Sequence, residues 1–291
     1  MKTKAPKKFP FQEELIDLIK KELPLHSIYV ISAYQEKQRQ NIYLSPQSSN
    51  AQKAITYTLL IVCRKPLSKG LGDFMDVLYN RMQQQCKVYA IVYTLSNVIK
   101  KLDYGDNFLY QVISKTTCMY KEDDTLSRFK NFQLSFCEEN YNNIRETWES
   151  RMYRAAYLLS VSDTIEFDED SISRISIMHY ALEQVCLALL FVFWEFKPQH
   201  YSLSYLLHLC NHFGQLPQTI FPKETYGLHR IYYMLCNAHH IMRFKSGDEF
   251  SDRDADKLHK RCYWFYKEAK SLGEAQLEHL KALHCKPSNP K

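Results

Sequence analysis

Apolar residues follow two different rhythms along this chain. Over the first hundred residues helical spacing alternates with short β-rich runs, and beyond Asp123 only the helical spacing remains. Phe11 to Leu23 carries Phe11, Leu15, Leu18 and Ile19 on one side and stops at Pro24, which predicts a helix. Ser27 to Ala33, rich in Ile, Tyr and Val, predicts a strand. The segment ITYTLLIVC, Ile55 to Cys63, is the strongest strand signal in the chain, and KVYAIVYT, Lys87 to Thr94, is a third. A helix over Leu71 to Gln85 lies between the last two, so strand, helix and strand imply one right-handed crossover in a small mixed sheet. The polar stretch Gln35 to Asn50, interrupted by Pro46, reads as a loop.

In the second half, Ile144, Trp148, Met152, Ala155 and Leu159 recur every three or four residues and predict an amphipathic helix from Tyr141 to Val161. Asp168, Glu169 and Asp170 precede the next helix, where negative charge complements free N–H groups. That helix spans Ser171 to Phe196 and is stopped by Pro198. Further helices are expected over Ser202 to Phe213, over Glu224 to Phe244, and from Ser251, which with Asp254 resembles a capping box. Four or five helices on short loops form an antiparallel bundle. The domain expectation is 1–122 as an α+β domain, 123–138 as a linker, 139–272 as the bundle, and 273–291 as an extension, partly helical and then disordered.

Composition adds limits. Seven glycines are too few for a phosphate-cradling loop or a turn-rich all-β fold. The net charge of +6 sits largely at the two ends, in residues such as Lys4, Lys8, Lys286 and Lys291. Nine cysteines, scattered singly from Cys63 to Cys285, fit reduced thiols in a cytoplasmic protein better than disulfides or a zinc site. The basic N-terminus runs into Glu13, Glu14 and Asp17 and has no signal-peptide core. The apolar run Val185 to Trp194 is too short to span a bilayer and reads as a buried helix, so no membrane association is expected.

The segment MHYALEQVCLALLFVFWEFKPQHYSLSYLL, Met178 to Leu207, sets a helix with an Ala-x-Glu-like element before a Pro-containing turn and a leucine-rich short helix, and in this it resembles the central signature of HEPN domains. LCNAHHIMRF, Leu235 to Phe244, resembles the family helix that ends in an Arg-aromatic pair, here Arg243 and Phe244. The likeness covers about Tyr141 to Leu272. HEPN domains are often fused to or paired with a minimal nucleotidyltransferase, and the N-terminal half is similar to that fold in outline. The fold class expected is therefore a small nucleotidyltransferase-like mixed sheet with helices, followed by an all-α HEPN-like bundle.

The resemblance also states what chemistry to look for. Active nucleotidyltransferases carry Gly-Ser after the first strand and Asp-x-Asp on the next, because two divalent ions beside a triphosphate need carboxylates to hold them. Here those positions read Ser32-Ala33 and Thr56-Tyr57-Thr58. Ser32, Thr56 and Thr58 are candidate nucleotide contacts, with no metal and no cofactor expected. HEPN ribonucleases use an Arg separated from a His by four to six residues as an acid–base pair. Arg174 with His179 and Arg253 with His259 satisfy that spacing, but neither pair lies where the family places its motif, near Arg243. His239 and His240 precede Arg243 by one helical turn and are the candidates for that chemistry.

His208 and His212, at i and i+4, have the spacing of a metal pair but no third ligand in view, so ordinary helix histidines are the better account. Phe191, Phe193, Trp194 and Phe196 are read as packing or dimer contacts rather than base-stacking rings. Because Val185 to Trp194 is apolar all round, part of it is expected to meet a second copy, making a homodimer through the helical domain.

Three functions compete. The first is a non-catalytic nucleotide- or nucleic-acid-associated regulatory assembly module, of the kind bacterial HEPN relatives supply in defence and toxin–antitoxin systems. The second is a metal-independent endoribonuclease for single-stranded RNA, and the third a nucleotide sensor.

Overall fold

The computed structural model describes residues 9–35, 55–131, 134, 136–164, 171–244 and 251–285. The loop read at Gln35 to Asn50 lies almost wholly outside them, as do Asp168 to Asp170 and the last six residues. The chain divides into two compact units, Met1–Ser135 and Phe136–Lys291.

The first unit is built on a four-stranded sheet in the order β3-β2-β1-β4, from β1 (Leu25–Gln35), β2 (Ile55–Cys63), β3 (Cys86–Thr94) and β4 (Thr117–Lys121). β1 runs antiparallel to both β2 and β4, and β2 runs parallel to β3, so the sheet is mixed. The parallel pair is joined through helix α2 (Leu71–Arg81), and helix α1 (Gln12–Glu22) precedes the sheet. Leu15, Ile16 and Ile19 of α1, with Phe74 and Leu78 of α2, pack on Ile55, Tyr57, Leu59, Ile61 and Cys63 of β2. These strand residues alternate, as a face of period two must.

α2 stops at Arg81 rather than at Gln85, because Gln83 and Gln84 take left-handed conformations at φ 51° and 63°. The Gln84 N–H returns to the Tyr79 carbonyl and closes the helix end.

In this unit the sequence pattern does not disclose α3 (Leu95–Asp103), α4 (Asn107–Lys115) or β4. Thr94 and Asp106 cap the two helices by accepting from the backbone N–H groups of Asn97 and Leu109. Val98, Leu102, Leu109, Val112 and Ile113 are buried, and the two helices lie against β1, β2 and β3. The stretch expected as a linker at 123–138 begins with a 3-10 helix, Thr125–Asn131, whose Leu126 and Phe129 are buried beside α4.

The second unit is helical: α5 (Glu138–Asp163), α6 (Ser171–Trp194), α7 (Leu203–Cys210), α8 (Leu216–Ile220), α9 (Tyr226–Phe244) and α10 (Asp252–His284). Ser251 caps α10 as its sequence predicts, accepting from the Asp254 N–H. α10 continues past residue 272, with Leu277, Leu280 and His284 buried.

α6 is the axis of this unit, packed by α5, α7, α9 and α10. It has the length and apolarity to cross a membrane, yet 83% of its most apolar window is buried inside the unit. Val185 to Val192 are all buried within one copy of the chain. Four neighbouring helices thus account for the apolar run up to Val192 without a second copy, so the all-round apolarity that motivated the homodimer expectation has a cause inside the unit. Phe193 stacks on Phe213 at 4.5 Å, and Trp194 meets Phe213 edge-on at 4.9 Å, so the ring-rich end of α6 serves packing. All nine cysteines are free and six of them are buried.

Candidate functional site

In the sheet, the candidate residues are brought together by an irregularity. Val30 pairs with Leu59 but Ser32 pairs with Thr58, so β1 spends two residues where β2 spends one. Such a bulge reverses which face the following side chains take. Val30 belongs to the core with α1 and α2, whereas Ser32 sits beside Thr58 and donates to its Oγ1 at 3.0 Å. Thr58 is fully buried. Thr56 lies one pleat further, between Tyr34 on β1 and Lys87 on β3. The three hydroxyls thus share one face, Thr56 and Thr58 in the places where the resemblance would put metal-binding carboxylates and Ser32 in the place of the Gly-Ser pair. Among the described residues no three His, Cys, Asp or Glu side chains converge to hold a metal ion.

In the helical unit, α6 and α9 bring two imidazoles together. His179 is buried, and its Nδ1 donates to the Leu235 carbonyl at 2.8 Å. A carbonyl only accepts, so Nδ1 carries the proton and Nε2 keeps a lone pair. Burial pushes the His179 pKa down, which favours this neutral form. The His239 ring lies 5.1 Å from the His179 ring, and its buried Nδ1 has no hydrogen-bond partner among the described residues. Burial, the Arg243 guanidinium and His240 all push the His239 pKa down. Arg243 is exposed, and His240 turns instead toward Phe244, ring centroids 4.8 Å apart. His239 and Arg243 therefore share a neighbourhood, as their i, i+4 spacing predicts.

The other spaced histidines and Arg174 are engaged elsewhere. Arg174 donates to the Ser162 carbonyl and pairs with Asp256 at 2.9 Å, holding α6 to α5 and α10, while His179 faces α9. His259 lies 3.9 Å from Asp163, and its ring stacks with Tyr263. His208 and His212 have rings 5.9 Å apart, and His212 is committed to the Leu209 carbonyl and packs on Trp194.

One polar group was missed. Arg151 and Arg154 of α5 both donate to Oε1 of Gln184 on α6, at 3.0 and 3.5 Å. Burial and the Arg154 charge push the Arg151 pKa down, and burial pushes the neighbouring Glu183 carboxyl up. The i, i+3 spacing of the two arginines was the only signal, and a surface helix shows such spacing routinely.

No protein-family model matches this sequence, and no curated protein matches it. Among solved structures the chain is similar to a nucleotidyltransferase-like protein from Exiguobacterium sibiricum 255-15. The identity is 12%, 96% of this chain and 79% of that chain are covered, and the TM-score is 0.28. A likeness at that score carries no argument about chemistry. The mixed sheet with its helices, and the helical unit after it, rest on the geometry of this chain.

Proposed function

We propose that this chain is a non-catalytic, nucleic-acid-associated module, a degenerate nucleotidyltransferase-like sheet domain followed by a HEPN-like helical bundle. The observation that carries this reading is the Ser32–Thr58 hydrogen bond. Two hydroxyls that satisfy each other on the face where metal ligands belong supply no formal charge to offset divalent cations. Incubation of the protein with radiolabelled ATP or GTP and magnesium is expected to leave protein and RNA unlabelled. Transfer of label to either would overturn the reading.

A second reading is favoured by one observation, the placement of His239 one helical turn from Arg243, whose charge, after burial, disfavours protonation of the imidazole. A neutral imidazole can take a proton from a 2′-hydroxyl while a guanidinium stabilises charge on the scissile phosphate, and neither step needs a metal. Pairing of two copies would supply the second half of such a site. With Val185 to Val192 covered internally, Met242 and Phe244, 55% and 71% exposed on either side of Arg243, offer apolar surface for such pairing. Under this reading, single-stranded RNA is cleaved in EDTA and Arg243→Ala abolishes the cleavage. Intact RNA at a large excess of enzyme would exclude it.

A further inference from the structure

The helical unit holds a cleft of about 730 Å³ between the first turns of α9 and the first half of α10, which is ample for a small organic ligand. Its charge is one-sided. Arg230, Lys257, Lys260 and Arg261 line it, and Asp254 is the single carboxylate among its lining residues.

Asp254 is already engaged: it accepts from Ser251 at 3.1 Å in the α10 cap and lies 3.5 Å from Arg230. Arg261 donates to the Ile220 carbonyl, which is neutral and leaves its charge uncompensated. Lys257 and Lys260 are exposed and have no ion-pair partner among the described residues. Like charges gathered without counter-charges are stabilised by an anion.

An aromatic ring shares the same wall. Residues 257, 260 and 264 follow the i, i+3, i+7 spacing of one helix face, so Trp264 stands one turn beyond the two lysines. Trp264 lines the cleft and is 47% exposed, and its Nε1 donates to Glu268 at 3.3 Å, which holds the indole by its edge.

We infer that this cleft binds a nucleotide unit of single-stranded nucleic acid, with a phosphodiester on Lys257 and Lys260 and a base against Trp264. Lysine–phosphate contacts combined with aromatic stacking are how strands are held without reading sequence. The inference rests on the proposed function only in taking nucleic acid as the ligand.

The test is fluorescence anisotropy of the full chain with a fluorescein-labelled oligouridylate, run between about 50 and 200 mM salt. Replacing Lys257 and Lys260 together by Ala is expected to flatten the log–log salt dependence by about 1.4, the share of two phosphate contacts on a single strand. Trp264→Ala is expected to weaken binding by about 5- to 100-fold, and Trp264→Phe to restore most of it, since a ring is what the base needs. Both sites are exposed, so circular dichroism should be unchanged. Binding by the parent chain that none of these variants alters would overturn the cleft. So would absence of binding, or loss of binding on Trp264→Ala that Trp264→Phe fails to restore. Arg243→Ala in the same assay separates the two claims: if it alone abolishes binding, nucleic-acid association stands and this cleft falls.

Discussion

The indole of Trp148 on α5 lies where a side chain at Gly273 on α10 would begin: a Cβ built at 273 overlaps the ring. Trp148 is nearly fully buried, so the ring has no room to withdraw. Glycine inside a helix normally costs about 1 kcal/mol relative to alanine, and here that cost is offset by the close approach of the two helices. Gly273→Ala is therefore expected to lower the stability of the helical unit by about 1–3 kcal/mol, against the direction helix propensity alone predicts. Denaturant unfolding measures it. A double-mutant cycle with Trp148→Leu should return most of the loss, and additive effects would show that the clash is not the cause.

The same contact shows what the sequence discloses and what it withholds. Trp148 is legible as a core residue because it falls in the apolar stripe of α5, and β2 is legible residue for residue because its apolar run is long and β-branched. Gly273 is not, since a lone glycine in a polar helix carries no sign of the ring it faces. α3 and α4 are likewise masked. Each is nine residues long, too short for a periodic stripe to stand out, and each is fixed by packing on the sheet more than by its own propensity. In the candidate sites, the i, i+4 relation of His239 to Arg243 is local and could be read. The Ser32–Thr58 bond depends on a bulge and on strand register, and the approach of His179 to His239 depends on how two helices cross. Neither long-range relation has a local signature.

Three histidines make the helical unit sensitive to mild acid. His179, His212 and His239 all have their pKa values pushed down, with burial the largest cause in each. A folded-state pKa below the unfolded value means that the unfolded chain binds protons first. The unit is then most stable above the ordinary histidine value of about 6.5 and loses stability as pH falls below it. All three tryptophans lie in this unit, so tryptophan fluorescence reports on it alone. The melting temperature so measured is expected to fall from pH 7 to pH 5. His179→Gln, whose amide can still donate to the Leu235 carbonyl, should reduce the fall. An unchanged slope in that variant would place the effect elsewhere.

The sheet unit titrates lower, through Asp123. One carboxylate oxygen accepts from the Thr125 N–H at 2.9 Å and lies 2.9 Å from Nε2 of buried His26, and the other meets Arg64 at 3.0 Å. The hydrogen bonds to Thr125 and then His26 hold the carboxyl well below its usual range, the ionised form being the one they favour. The sign is that of a depressed acid: the stabilisation is present above the unfolded carboxylate value of about 3.9 and is lost as pH falls through and below it. His26 and the Asp123 segment tie the start of β1 to the end of β4, where the Glu122 N–H also reaches the His26 carbonyl. Protection of the β1 and β4 amides, taken relative to intrinsic exchange at each pH, is therefore expected to fall below about pH 4. In Asp123→Asn that loss should shrink, with weaker protection already at neutral pH, because the amide keeps the Thr125 contact but gives up the charge that holds Arg64. If Asp123→Asn left the pH dependence of protection unaltered, Asp123 would not be its source.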